Sequence, residues 1–310
     1  MAASGRLDGS VVRTPLVECT QLSDLVGHPV QLKSESLQRA GSFKVRGALN
    51  FVLSLPAEAA ERGIITYSSG NHAQAVALAA RLGGLSAVVV LPTTASRVKV
   101  DGCIRWGAQL VFEGVTSEQR RQRAEVIARE QDLTVVPPFD HPWIIAGQGT
   151  VGLEIYQDWP EVETVLFPIG GGGLASGVSA ALRRLRPGVR LLGVEPAGAA
   201  SMRAALDAGR PVTLPSSESV ADGLLPNRVG ELTHRHVSAL ADDVVTVDER
   251  SIREAARFLL LNSRLVVEFS GATALAALLS NAVPSPGRTV AIVSGGNVDP
   301  EILVDLVGGS

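Results

Sequence analysis

The chain has 310 residues, of which 45% are hydrophobic and 19% charged, and its formal net charge is −3. At roughly 150 residues per domain this length predicts about two domains, with enough apolar sequence for a buried core. Only 4% of the residues are aromatic, and the cations are spread along the chain. Nucleic-acid-binding proteins present a basic stripe or stacking aromatics, so we expect no nucleic acid as partner.

The cysteine content and the apolar runs exclude several further classes of protein. Cys19 and Cys103 are too few for a disulfide framework, and no Cys-x-x-Cys pair indicates zinc or a redox motif. The first residues lack the apolar run of a signal peptide. The longest apolar stretches, at 87–91, 165–169 and 290–293, are far shorter than the ~20 residues of a membrane span. We therefore expect a cytoplasmic globular protein with no membrane partner.

Short β-rich runs alternate with helical stretches, which predicts βα units and parallel sheets. The predicted strands are residues 63–67, 87–91, 109–112, 134–136, 164–168, 190–194, 243–247 and 289–293, and the predicted helices are 73–81, 117–131, 146–156, 174–186, 249–262 and 271–279. Most of these strands lack polar alternation, as strands buried on both faces should. Prolines at 137–142 interrupt the pattern. We expect two α/β lobes with a binding cleft between them.

A glycine-rich turn joins the strand at 164–168 to the helix that follows it. Its residues are Gly170, Gly171, Gly172 and Gly173, followed by Leu174. Glycines let the backbone approach closely, and the N–H groups of a helix N-terminus bind an anion, so this segment predicts a phosphate site. The spacing also fits a loose dinucleotide fingerprint, with Glu195 near the position of a ribose-binding acid. An NAD-dependent dehydrogenase is therefore an alternative.

Lys44 follows a Gly-Ser turn and lies beside Phe43 at the start of a helical run, and it is one of three lysines among 28 Lys and Arg residues. The positive end of a helix dipole lowers the pKa of a lysine, which favours the neutral amine that a Schiff base requires. On the spacing alone, an ordinary surface lysine at a helix start is the favoured interpretation.

Two more polar turns follow predicted strands. One turn carries Ser68, Ser69, Asn71 and His72 in front of a helix. Hydroxyls, an amide and helix N–H groups suit a carboxylate, although a serine here also fits a plain helix N-cap. The other turn begins at Ser294, directly after the strand at 289–293.

Together these segments resemble the fold-type II pyridoxal-phosphate enzymes, specifically the threonine dehydratase and serine racemase group. The shared patterns are Gly41-Ser-Phe-Lys-Val-Arg-Gly-Ala48, Ser68-Ser-Gly-Asn-His-Ala-Gln74, Ile145-Ala-Gly-Gln-Gly-Thr150, the glycine turn, Gly193-Val-Glu-Pro196, Ala221-Asp-Gly223 and Ser294-Gly-Gly-Asn297. The resemblance covers nearly the whole chain. It implies an α/β fold of the tryptophan synthase β type, whose two lobes are each a mostly parallel sheet flanked by helices. We expect a large cofactor domain of residues 1–50 plus 142–310 and a small substrate-loop domain of residues 51–141.

The resemblance also implies pyridoxal 5′-phosphate as cofactor and assigns residues to it. Lys44 would form the Schiff base and remove the α-proton, beside Phe43. Asn71 would bond to the cofactor's 3-oxygen, Ser294 would face the pyridine nitrogen, and the phosphate would lie on Gly170, Gly171, Gly172, Gly173 and Leu174. The substrate carboxylate would lie on Ser68, Ser69, Asn71 and His72, and Ser69 would act on the face opposite Lys44.

The implied reaction is dehydration and deamination of a β-hydroxy amino acid, L-threonine or L-serine by default, to a 2-oxo acid and ammonia. A serine or aspartate racemase shares every motif and is the alternative. A β-replacement synthase shares the fold, but its loop usually carries Thr where His72 stands. The resemblance further implies a homodimer.

Three features depart from the resemblance. Ser201 replaces the acidic residue of a divalent-cation site, which leaves Glu195 as a weak metal ligand because such cations need several oxygen ligands. Phe269 replaces a usual Pro, so we consider a bulkier 3-hydroxy amino acid as substrate. The chain ends about 16 residues after Ser294, and we therefore expect no regulatory domain.

Overall fold

The structure, a computed structural model, describes residues 2–68, 70–284 and 287–308. In these ranges the α-helices are α1 (Ala2–Leu7), α2 (Thr20–Val26), α3 (Lys44–Val52), α4 (Ala57–Arg62), α5 (Asn71–Gly83), α6 (Arg97–Arg105), α7 (Ser117–Gln131), α8 (Pro142–Asp158), α9 (Gly173–Leu185), α10 (Ser201–Ala208), α11 (Glu231–Leu240), α12 (Glu249–Ser263), α13 (Phe269–Leu279) and α14 (Pro300–Gly308). The strands are β1 (Leu16–Glu18), β2 (Val30–Ser34), β3 (Ile64–Tyr67), β4 (Ala87–Leu91), β5 (Gln109–Phe112), β6 (Thr134–Val135), β7 (Thr164–Pro168), β8 (Arg190–Pro196), β9 (Asp243–Val247) and β10 (Thr289–Val293).

The larger sheet has the strand order β1-β2-β10-β7-β8-β9, in which β1 is antiparallel to β2 and the other pairs are parallel. Its two faces are covered by different helices, as a parallel sheet requires. Alternate residues of β7 divide between them: Leu166 packs in a core with α12 and α13, whereas Val165 and Phe167 pack in a core with α8 and α9.

The smaller sheet has the order β5-β4-β3-β6, and all of its pairs are parallel. Ile64 packs with α5 on one face, whereas the next residue, Ile65, packs with α7 on the other. The two sheets form the two lobes of the α/β fold, which confirms the predicted fold class. We keep the division into domains 1–50 plus 142–310 and 51–141 as a proposal. The membership of β1, β2 and β7–β10 in one sheet and β3–β6 in the other supports it.

The predicted strands are confirmed, with ends that differ by at most two residues. Two strands, β1 and β2, were not predicted, because β1 is three residues long and β2 contains Lys33. The helix predicted from residue 146 begins earlier, at Pro142, because the His141 ring accepts a hydrogen bond from the N–H of Trp143 and caps it. Within the described ranges, no helix has both the length and the apolar character to cross a membrane.

A buried ion cluster fixes α3 to the rest of the larger lobe. Arg46 is fully buried and bonds to both Glu35, at 2.7 and 2.8 Å, and Glu154, at 2.6 and 2.9 Å. Lys33 from β2 bonds to Glu154 at 2.6 Å. Two cations thus face two carboxylates, and the cluster is formally neutral. Because α3 begins at Lys44, two residues before Arg46, the cluster also holds the backbone of Lys44 in place.

Candidate active site

The polar turns predicted from the sequence lie at the carboxyl ends of parallel strands. Residues 68–71 follow β3, the glycine turn follows β7, and Ser294 follows β10. In open α/β sheets, ligands bind at this edge.

Main-chain pairing brings Lys44 to Ser294. The N–H of Phe43 donates to the carbonyl of Ser294 at 3.1 Å, and the N–H of Gly296 donates to the carbonyl of Gly41 at 2.8 Å. Ser294 is buried, and among the described residues its hydroxyl has one long contact, of 3.5 Å, with the carbonyl of Ser270. A hydroxyl held this weakly can turn to another partner.

The amine of Lys44 lies in surroundings that favour its neutral form. Its Nζ donates to the carbonyl of Pro138 at 3.1 Å and is 5.2 Å from the centre of the Phe43 ring. Exclusion of water by the surrounding protein lowers the pKa of Lys44 to about 8, although the charge of Glu268 opposes the shift. This shift makes the neutral amine, which a Schiff-base lysine needs, more accessible at neutral pH than it is for an ordinary lysine.

The glycine turn forms a buried cradle at the N-terminus of α9. Gly172 has a φ of 91°, a conformation that residues with side chains rarely adopt. A β-carbon on Gly171 would lie 2.1 Å from the Phe139 ring, so no other residue fits there unless the ring moves. Because Phe139 follows Pro138, the same loop touches both the cradle and Lys44. A backbone cradle at a helix N-terminus fits a phosphate, and a lysine of lowered pKa that contacts the same loop fits pyridoxal phosphate.

The loop after β3 holds the predicted substrate residues, of which Ser69 lies outside the described residues. The hydroxyl of Ser68 accepts the N–H of Gly70 at 3.1 Å. Asn71 is bonded on both sides of its amide: its Nδ2 donates to Glu268 Oε1, and its Oδ1 accepts from Asn297 Nδ2 at 2.8 Å. Both partners come from the larger lobe.

His72 lies in the interior of the smaller lobe. It is buried, and its Nε2 is 3.2 Å from the carbonyl of Val136. Burial lowers the pKa of His72 to about 3, with a further contribution from the charge of Lys44. The imidazole is therefore neutral at physiological pH and supplies no positive charge to a carboxylate.

Glu195 supports the start of α10. Its two carboxylate oxygens accept the N–H groups of Met202 and Arg203, each at 2.8 Å. In the described ranges, no group of three or more His, Cys, Asp or Glu side chains comes together as a metal site. A divalent cation at Glu195 stays a prediction. The site offers it one carboxylate, whose two oxygens already accept backbone hydrogen bonds.

Several residues around the cleft were missed by sequence reasoning. They are Phe139 and Thr233 at the glycine turn, and Lys99, Asp222, Glu268 and Asn297 around Asn71. Thr233 Oγ1 donates to the carbonyl of Gly171 at 2.8 Å. Two of these residues could have been found from the sequence. Lys99 is one of three lysines in the chain, and Glu268 lies next to Phe269, which departs from the resemblance. The Phe269 ring itself packs in the core under the Arg253 guanidinium, 5.1 Å from the ring centre.

Residues 7–295 match the family described as "Pyridoxal-phosphate dependent enzyme". An L-threonine ammonia-lyase of Geobacter sulfurreducens is 42% identical over 298 residues, which cover 96% of this chain and 74% of the relative. A serine racemase of Oryza sativa subsp. indica is 40% identical over 307 residues, which cover 97% of this chain and 90% of the relative.

Solved structures agree with the sequence comparisons. The structure of maize serine racemase superposes with a TM-score of 0.94 at 38% sequence identity, covering 99% of this chain and 95% of that chain. The match to the family spans nearly the entire chain, and the fold and the cradle beside Lys44 agree with it. The chain therefore belongs to the family of pyridoxal-phosphate-dependent enzymes.

Proposed function

We propose that this enzyme is an ammonia-lyase that dehydrates and deaminates a β-hydroxy amino acid, L-threonine or L-serine, to a 2-oxo acid and ammonia. The observation that carries the proposal is the half-buried amine of Lys44, which has a lowered pKa and donates at 3.1 Å to the carbonyl of Pro138, in the loop that packs on the glycine cradle. The similarity to an L-threonine ammonia-lyase supports the same reaction class.

The residues of the chain divide into cofactor-holding and proton-moving groups. Lys44 and Phe43, the amide of Asn71, the hydroxyl of Ser294, the glycines 170–173 and Leu174 would hold the cofactor. When bound, pyridoxal phosphate supplies an electron sink for charge at the substrate Cα. The neutral Lys44 amine accepts the α-proton, because its lowered pKa leaves it unprotonated in part at neutral pH. Ser294 offers a neutral hydroxyl in place of a carboxylate, so the site stabilises less charge at Cα and favours prompt loss of the β-hydroxyl.

The test combines absorption spectroscopy with an ammonia assay on the purified enzyme. We expect a visible Schiff-base band that changes when L-threonine or L-serine is added, with release of ammonia. Lys44→Ala should abolish both the band and the ammonia. Arg39→Ala, which removes an exposed cation from the same stretch of chain, is the matched control and should leave both unchanged. A Lys44→Ala variant with full lyase activity would refute the assignment.

A second candidate activity is racemisation of serine or aspartate. The similarity to plant serine racemases favours it. It needs a proton donor on the substrate face opposite Lys44, and Ser69 is our candidate from the sequence pattern. Ser69→Ala should suppress reaction of one enantiomer more than the other when both are assayed separately. Equal losses for the two enantiomers would remove Ser69 from this role.

The proposal also covers the oligomeric state and the cellular location of the enzyme. We propose a homodimer that works in the cytoplasm on a small amino acid, with the dimer inferred from the resemblance alone. Sedimentation equilibrium measures the assembly directly, and a monomeric mass at micromolar concentration would contradict the dimer. A bulkier 3-hydroxy substrate is less favoured, because the Phe269 ring packs in the core.

A further inference from the structure

The side chain of Asn71 is clamped from the opposite lobe by two residues with different hydrogen-bonding capacities. Asn297 Nδ2 donates both to the carbonyl of Ala40, at 2.9 Å, and to Asn71 Oδ1, at 2.8 Å. An NH2 group can only donate, so Asn71 must turn its oxygen towards Asn297 and its nitrogen towards Glu268. Glu268 Oε1 accepts one N–H of Asn71. Among the described residues, no partner takes the second N–H of the Asn71 amide, which is therefore available to a ligand.

Glu268 is an unusual group to find in this place. It is 4% exposed, and its second oxygen, Oε2, has no hydrogen-bond partner among the described residues. A buried carboxylate oxygen without a partner destabilises a fold, so its presence needs an explanation. The backbone is also adapted to it: a β-carbon on Gly295 would lie 2.2 Å from Glu268 Oε1.

The charges around Glu268 come from both lobes. Lys99 on α6, 6% exposed, pairs with Asp222 of the larger lobe. Its stem crosses the loop before Asn71, where a β-carbon on Gly70 would lie 2.8 Å from Lys99 Cδ. Lys99 and Lys44 favour the charged form of Glu268, and Asp222 disfavours it. Asp299 acts on the same group indirectly, by favouring the charge of Lys99.

We propose that Glu268 is a positioning residue that, together with Asn297, orients the amide of Asn71 towards the cofactor. The inference rests on the proposed role of Asn71, but not on which amino acid is the substrate. Its first consequence is structural, because the clamp joins a residue of the smaller lobe to two residues of the larger one. The contacts that orient the amide therefore depend on how the two lobes pack together.

The second consequence concerns pH. Burial raises the pKa of Glu268 to about 7, although Lys99 opposes the shift. As the pH rises through neutrality, Glu268 loses its proton and becomes a stronger acceptor for the Asn71 N–H. Any signal from Asn71 should therefore change with a midpoint near neutral pH.

The first experiment follows the side-chain amide signal of Asn71 by NMR in the cofactor-free protein, with the signal assigned by its loss in Asn71→Ser. We expect a titration with a midpoint near pH 7 in the wild type and none in Glu268→Gln. The glutamine keeps an acceptor oxygen but cannot titrate. Lys99→Met should move the midpoint upwards by about one unit, because it removes the nearby cation. Glu163→Gln, which removes an exposed carboxylate paired with Arg288, is the matched control and should titrate like the wild type.

The second experiment repeats the titration on the visible band of the cofactor-loaded enzyme. Loss of the neutral step in Glu268→Gln, with a band of normal intensity, supports the proposal. Should Glu268→Gln fail to fold, the direction of the Lys99→Met shift decides the matter. An Asn71 signal that titrates in Glu268→Gln as in the wild type would overturn the proposal. So would an unmoved midpoint in Lys99→Met. If the wild type releases no ammonia while the amide still titrates through Glu268, the proposed function fails and this inference stands.

Discussion

Position 171 requires glycine, because a β-carbon there would lie 2.1 Å from the Phe139 ring. The ring belongs to the loop in which the carbonyl of Pro138 accepts a hydrogen bond from the Lys44 amine. The contact between Gly171 and Phe139 thus connects the glycine cradle to the loop that bonds to Lys44. A substitution here should act on cofactor binding without removing any hydrogen-bonding group.

Gly171→Ala should weaken binding of pyridoxal phosphate at least tenfold, which corresponds to about 1.4 kcal/mol. The added methyl group must displace Phe139 and the loop that carries it. Fluorescence titration of the cofactor-free protein measures the dissociation constant. Gly188→Ala is the control, because a β-carbon there meets no atom within 4 Å in the described structure. Adding Phe139→Ala to Gly171→Ala should restore part of the affinity, and failure to do so would exclude this steric explanation.

At the scale of elements, a cluster of buried charges joins α3 to the rest of the larger lobe. Arg46 contacts Glu35 next to β2 and Glu154 on α8, so the cluster joins three segments that are distant in the chain. Removing one partner from a buried pair leaves an uncompensated charge, which costs far more than the loss of an exposed pair.

Arg46→Met should lower the free energy of unfolding by roughly 3–5 kcal/mol, because Glu35 and Glu154 would be left buried beside a single cation, Lys33. Urea unfolding followed by circular dichroism measures the change. Arg250→Met removes the exposed pair with Glu254 and should change the same quantity by less than about 1 kcal/mol. Equal effects of the two substitutions would show that the cluster does not anchor α3.

At the scale of the whole molecule, two buried carboxyls make stability depend on pH. Burial raises the pKa of Glu195 to about 7, and the pKa of Glu268 to about 7, from an ordinary value of 4.5. Below pH 4.5 both residues are protonated in the folded and unfolded states and contribute no slope. Between pH 4.5 and 7 the folded state binds more protons than the unfolded state, so stability falls as the pH rises.

Glu195→Gln should reduce this slope of unfolding free energy by up to about 1.4 kcal/mol per pH unit, the contribution of one proton. Urea unfolding at a series of pH values between 4.5 and 7 measures it. Glu163→Gln should leave the slope above about pH 5.5 unchanged, because contacts with Arg288 lower the pKa of Glu163 and its carboxylate is then charged in both the folded and the unfolded state. The double variant Glu195→Gln, Glu268→Gln should be flatter than either single variant. A slope that persists in the double variant would contradict this account.

The sequence alone determined the fold class, because fully apolar runs and helix signals are properties of neighbouring residues. It also located the glycine turn and the two other polar turns, because each follows a predicted strand within a few positions, whereas the resemblance to a known family singled out Lys44. Local patterns could not reveal β1 and β2, since β1 is very short and Lys33 breaks the apolar run of β2.

Only the tertiary structure decided which side chains surround these turns. The partner of Asn71 lies 197 positions away at Glu268, and the partner of Lys99 lies 123 positions away at Asp222. His72 has the right position in the loop, but the fold turns its ring into the interior, where burial keeps it neutral. Such pairings depend on how two lobes pack together. Residues that are adjacent in the sequence do not reveal that packing, because many different partners could form a hydrogen bond with the same buried polar group.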